Sequence, residues 1–159
     1  MKKFSSRGKC LCGGVEFSTK GFHRDVSNCH CIQCMKTHGN FAAYTNIEDK
    51  NLKFQNKKTL KWFKSSKRAK RGFCSKCGAS IFFKFNKSKN ISISAGMFDK
   101  SLKVKTTRNI FIKNRLKYYK IDQSLPKFKI SKQKNFKMVS IFQESKKRFL
   151  LKMWSKHIF

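Results

Sequence analysis

Arg71-Gly72-Phe73-Cys74-Ser75-Lys76-Cys77-Gly78 carries two cysteines at the spacing with which one turn offers two thiolates to a single zinc ion. A tetrahedral shell needs a second pair, and Gly8-Lys9-Cys10-Leu11-Cys12-Gly13-Gly14 supplies it near the start of the chain. Cys10, Cys12, Cys74 and Cys77 thus make a four-cysteine site tying an early loop to a later one. Glycines follow both pairs, as a ligand turn requires where backbone N–H groups approach sulfur and φ becomes positive. A thioredoxin-type motif would sit in a βαβ context, which the sequence around Cys74 and Cys77 lacks.

The other three of the seven cysteines lie together in Cys29-His30-Cys31-Ile32-Gln33-Cys34. Three thiolates leave one position of a tetrahedron for water or substrate, the character of a catalytic zinc site. Seven therefore divides into a closed four and an open three, which calls for two zinc ions. Other partitions stay open at this point. Cys29 could be a free thiol beside a Cys31–Cys34 redox pair, or His30 or His38 could complete a second closed site. In an extended segment the His30 side chain points away from its two cysteine neighbours, which favours a supporting role over ligation. His23 and His38 carry no distinguishing context, and His157 lies in the C-terminal segment.

Outward from the cysteines, residues 8 to 128 read as short strands at roughly ten-residue spacing, the pattern of an all-β domain. The candidates are Val15–Ser18, Phe41–Thr45, Leu52–Gln55, Leu60–Phe63, Ser80–Phe85, Ile91–Ala95, Asn109–Ile112 and Leu116–Ile121. One short helical hint spans Ile32 to Thr37. The single proline, Pro126, marks the expected end of the folded unit, giving a domain over 1–128 and a basic appendage over 129–159. In that appendage Met138, Val139, Phe142, Phe149, Leu150 and Met153 sit loosely at helical spacing. Without a cap or clean periodicity, a partly disordered tail is preferred to an amphipathic helix.

Apolar content of 39% is low for a globular chain, so metal sites are expected to help hold the fold. The start has no secretory signal, and no stretch approaches the roughly 20 apolar residues of a membrane span. The expectation is a soluble, cytoplasmic protein, where clustered cysteines serve metal or redox chemistry. The 39 basic residues against seven acidic ones give a net charge of +32. Lysine is spread over every segment and accompanies abundant Phe, Ile and Asn, so compositional drift explains the charge better than selection for a polyanion. Adventitious nucleic-acid binding at low salt is still expected.

The motifs resemble those of the glutathione-dependent formaldehyde-activating family, which includes the centromere protein V group. Gly8-Lys9-Cys10-Leu11-Cys12-Gly13-Gly14-Val15-Glu16-Phe17 is similar to the family's opening motif, and Cys29–Cys34 followed by Gly39 to its second. Ser65-Ser66 with Arg71–Gly78 resembles the third motif, and Ala95-Gly96-Met97-Phe98-Asp99 the segment after it. Asn109-Ile110-Phe111 and Leu125-Pro126-Lys127-Phe128 resemble its close. The resemblance implies a compact Mss4-like β-tent of antiparallel sheets. It implies a structural zinc on Cys10, Cys12, Cys74 and Cys77, and a catalytic-type zinc on Cys29, Cys31 and Cys34. It also implies a carbon–sulfur lyase activity, the reversible addition of glutathione to formaldehyde. The chain departs from the pattern at Asn109, where the family usually has His, and at Tyr118 or Tyr119, where it often has Trp. The tail after Phe128 has no family counterpart. Asp99 is the best-placed carboxylate by motif, and the lysines and Arg71 are candidates for glutathione's carboxylates. A non-catalytic zinc-stabilised module for nucleic acid or another polyanion is the alternative reading.

Overall fold

The computed structural model describes residues 5–100 and 102–130. The expected basic segment, from 131 onward, and its helical pattern lie outside them. Among the described residues the chain forms eleven strands and one α-helix. The strands are β1 (Ser5–Lys9), β2 (Glu16–Lys20), β3 (Arg24–Cys29), β4 (Ala42–Glu48), β5 (Leu52–Asn56), β6 (Leu60–Ser66), β7 (Ala69–Cys74), β8 (Ser80–Phe85), β9 (Asn90–Ser94), β10 (Thr106–Ile110) and β11 (Lys127–Phe128). The helix α1 spans Ile32–His38. The fold is all-β, as expected.

A three-stranded sheet has the order β1-β2-β5, and an eight-stranded sheet runs β11-β10-β3-β4-β9-β8-β7-β6. Neighbours pair antiparallel with one exception: β10 lies parallel to both β3 and β11, so the larger sheet is mixed. Hairpins cannot make such a pairing, which requires the chain to cross over between strands. Here β10 returns late in the chain and lays Ile110 beside Cys29.

One expected strand does not form. Leu116–Ile121 has strand-like alternation but is irregular, with Leu116 and Tyr118 exposed. Its apolar residues pack instead of pairing: Tyr119 lies 5.7 Å from the His30 ring and 5.3 Å from that of Phe41.

Successive side chains on a strand face opposite sides of its sheet, and β8 shows the consequence. Phe82 enters one apolar cluster with Cys10, Val15, Phe17, Cys74 and Ile93, joined by Ile81, the extra residue where the register between β7 and β8 shifts. Phe83, the next residue, packs against another built on Cys29, Cys34, Ala42 and Tyr44. Cys10, Cys74 and Cys77 belong to the first cluster and Cys29, Cys31 and Cys34 to the second, so the larger sheet separates the two cysteine groups.

Candidate metal centres

The first pair of cysteines sits in the turn from β1 to β2, where Gly13 N–H donates to Cys10 O at 3.1 Å. The second sits in the turn from β7 to β8, where Gly78 N–H donates to Cys74 O at 2.9 Å. Gly13 and Gly78 have φ of 74° and 71°, the left-handed region that glycine enters without penalty. The turns face each other so that the four sulfurs of Cys10, Cys12, Cys74 and Cys77 lie within 4.8 Å of one another. Cys12 Sγ is 3.6 Å from both Cys10 Sγ and Cys74 Sγ. Tetrahedral thiolates at about 2.3 Å from one ion stand about 3.8 Å apart, so the spacing fits zinc. The Val15 N–H points at Cys10 Sγ at 3.3 Å and the Thr59 hydroxyl lies 3.0 Å from Cys74 Sγ, contacts that stabilise thiolate charge. Cys10 and Cys74 are fully buried, whereas Cys12 is exposed.

The three remaining cysteines come from the end of β3 and the start of α1. Their sulfurs also lie within 4.8 Å of one another, and no histidine or carboxylate among the described residues joins them. Cys31 is the N-cap of α1, with its sulfur accepting from Cys34 N–H at 3.5 Å. Hydrogen bonds from the Cys29 and Cys34 thiols hold the Cys31 thiol far below its ordinary pKa, and the same bond to Cys31 pushes Cys29 up. Cys31 is the half-buried member of the group, while Cys29 and Cys34 are buried. The donor set fits a soft divalent ion with one open position.

His30 joins neither group. It is buried, with Nε2 3.1 Å from Asn109 Oδ1 and its ring near Phe41. Asp99 is anchored beside β1, its N–H donating to Arg7 O at 3.0 Å. Arg71, in β7, reaches the three-cysteine group: its Nη2 lies 3.7 Å from Cys34 Sγ and 3.2 Å from Gln33 Oε1. Two residues without a distinguishing sequence signal also border this group. Tyr44 packs against it, and burial raises its phenol pKa. His38 sets its ring edge-on to Tyr44 at 5.3 Å, and burial, with Arg71 adding to it, lowers its pKa. Among the described residues no helix is long and apolar enough to cross a membrane.

Comparison with known proteins adds three findings. The family model described as glutathione-dependent formaldehyde-activating enzyme matches residues 5–114. A crystal structure of a Rhodobacter sphaeroides protein is similar at a TM-score of 0.51 and 22% identity, covering 64% of this chain and 99% of that one. At that identity the likeness is one of fold. No curated protein matches the chain.

Proposed function

The chain belongs to the glutathione-dependent formaldehyde-activating family, and on that premise we propose that it is a zinc-dependent carbon–sulfur lyase. It adds a glutathione-like thiol reversibly to formaldehyde or a related small aldehyde at the three-cysteine group. One observation carries this reading: three sulfurs from one short segment converge without a fourth protein ligand among the described residues. Cys29, Cys31 and Cys34 would hold the catalytic zinc, and Cys10, Cys12, Cys74 and Cys77 the structural one. When bound, zinc supplies Lewis acidity and an open position at which a thiol is held as thiolate.

The chain's own residues do the rest. Cys31, at the cap of α1, presents its sulfur at the edge of the site, while Cys29 and Cys34 close the buried side. Ala42, Tyr44, Phe83, Ile110 and Phe111 give the group apolar walls that exclude water from a reactive adduct. Asn109 holds the His30 ring through the bond to Nε2, which fixes the backbone between Cys29 and Cys31. Residues 1–128 form the working unit in this proposal, with 129–159 as an appendage to it.

The test is zinc stoichiometry on purified protein and on Cys31→Ser, with a glutathione titration on each. Two zincs falling to one, with glutathione binding lost and the fold retained, is the expected result. One zinc in both proteins with unchanged glutathione binding would refute the open thiol site and leave only the four-cysteine clamp.

A further inference from the structure

The segment after β10 gathers positive charge in one place. Beyond Ile110 the chain turns through Phe111 at φ 59°, a left-handed conformation that a bulky residue holds only when its surroundings fix it. Phe111 packs against the three-cysteine group, and the chain leaves it in the short 3-10 helix Ile112–Asn114, where Arg115 N–H donates to Ile112 O at 3.2 Å. β11 then brings Lys127 back beside Asn109. Between these fixed ends lie two adjoining clefts of about 420 and 560 Å³, which share Ile112 and Arg115.

Six of the ten described residues lining the clefts are basic, against 39 of 159 in the whole chain. Arg115 stands between the two, Lys113 and Lys129 line the smaller, and Lys117, Lys120 and Lys127 line the larger. No carboxylate is among the described lining residues. Asp122, the acid of this stretch, acts electrostatically on Lys127, but its carboxylate accepts from Ser124 N–H at 2.8 Å and from the Ser124 hydroxyl at 2.7 Å. Lys127 Nζ donates to Gln123 O at 3.2 Å. The other five cations have no ion pair and no side-chain hydrogen bond among the described residues. Like charges around one space repel, and a bound anion reverses the sign. Ile112, Tyr119 and Ile121 add walls of low dielectric, and a cleft with such walls and one sign of charge concentrates counter-ions.

We propose that the paired clefts are a second ligand site, taking a small polyphosphate anion with Arg115 between successive phosphates. A guanidinium presents a fork of donors that matches phosphate, and lysines on either side add point charges. Each volume is that of a small-ligand site, and two lobes around one arginine suit an anion charged at more than one phosphorus. A nucleoside triphosphate and inorganic tripolyphosphate share this chemistry, the nucleoside adding a base for the apolar wall. The thiol chemistry proposed above uses none of the six cations, so the two sites stand or fall separately.

The experiment is calorimetric titration of the full zinc-loaded chain with tripolyphosphate, ATP and orthophosphate, at about 0.15 M salt, where exposed charges are screened beyond about 8 Å. Zinc content measured before and after separates binding from chelation. Tripolyphosphate should bind once per chain and at least about tenfold more tightly than orthophosphate. The variant Arg115→Gln/Lys117→Gln/Lys120→Gln should weaken it by at least about tenfold. A control, Lys57→Gln/Lys58→Gln/Lys87→Gln, removes the same charge from exposed turns at the other end of the larger sheet, and should change affinity by less than about twofold. Unchanged urea midpoints check that both variants fold. ATP binding more tightly than tripolyphosphate supports the site and identifies a nucleotide, while equal affinity supports it and identifies the phosphate chain alone. No tripolyphosphate binding at that salt overturns the proposal. Several anions bound per chain, or equal losses in the two triple variants, also overturn it and assign the binding to net charge.

Discussion

The four-cysteine group should act as a long-range clamp on the fold, and the three-cysteine group should not. The cleanest perturbation is the double variant Cys12→Ser/Cys77→Ser. It takes one ligand from each turn, at the exposed and half-buried positions, and leaves buried Cys10 and Cys74 to fill the apolar cluster as before. The loss then reports the clamp and not the packing. Cys12 and Cys74 are 62 positions apart, and tying a loop of that length removes about 4 kcal/mol of unfolded-chain entropy. The same relation gives only about 2 kcal/mol for the short span from Cys29 to Cys34, so the chain-entropy part of the loss in Cys31→Ser is about half as large. Equilibrium urea unfolding, with thiols reduced and free zinc buffered, reads the difference. With an m-value of about 2 kcal/mol/M, the double variant should unfold roughly 2 M earlier and Cys31→Ser about 1 M earlier. A double variant within about 0.5 M of wild type, with its structural zinc gone, would refute the clamp. So would a Cys31→Ser variant as unstable as the double one.

Two further outcomes are expected. A Cβ at Gly14 would stand 2.3 Å from Thr59 Oγ1 and 2.8 Å from Thr59 Cγ2, so Gly14→Ala must displace the residue whose hydroxyl meets Cys74 Sγ. It should lower stability by about 1–3 kcal/mol and weaken zinc retention against a chelator, and a neutral effect in both assays would sink that packing argument. Burial holds the His23 pKa below its ordinary 6.5, with Nε2 on the Thr19 hydroxyl at 2.8 Å and Nδ1 buried without a partner. The unfolded chain therefore takes up a proton first, and stability present above the ordinary pKa is lost as pH falls toward the depressed one. His23→Gln should flatten the urea midpoint between about pH 7 and pH 5 relative to wild type, and an identical slope in the two proteins would refute the assignment.

Ligand counting made the cysteine grouping legible, because seven sulfurs in three short segments leave few ways to fill a tetrahedron. Strands with apolar alternation were legible too, and Ser80–Phe85 coincides with β8. Four strands escaped notice. β1 buries Ser6 and Gly8, β3 carries Ser27 and Asn28 inside and β7 carries Arg71, so a reading based on apolar periodicity passes over all three, and β11 is only two residues long. Leu116–Ile121 misled for the opposite reason: its apolar residues are there to cover His30 and Phe41, not to line a strand face. The burial of Arg71 beside Cys34 was not legible either, because only the folded chain shows what faces a buried charge.

The placement of the two cysteine groups follows from one sheet having two faces. On β7, Cys74 and Arg71 are three residues apart and so face opposite sides, as Phe82 and Phe83 do on β8. One side packs against the three-stranded sheet through Phe17 and Phe54, whose rings lie 5.3 Å and 5.7 Å from that of Phe82. Sulfur ligands there join two sheets that a core of modest apolar content holds less firmly, which suits a closed shell. The other side is covered by one short helix and irregular chain. It can therefore leave a ligand position open, and there the buried cation faces sulfur instead of carboxylate. A closed four at the junction of the two sheets and an open three under a thin cover are thus set by how much structure each face of the larger sheet has to cover it.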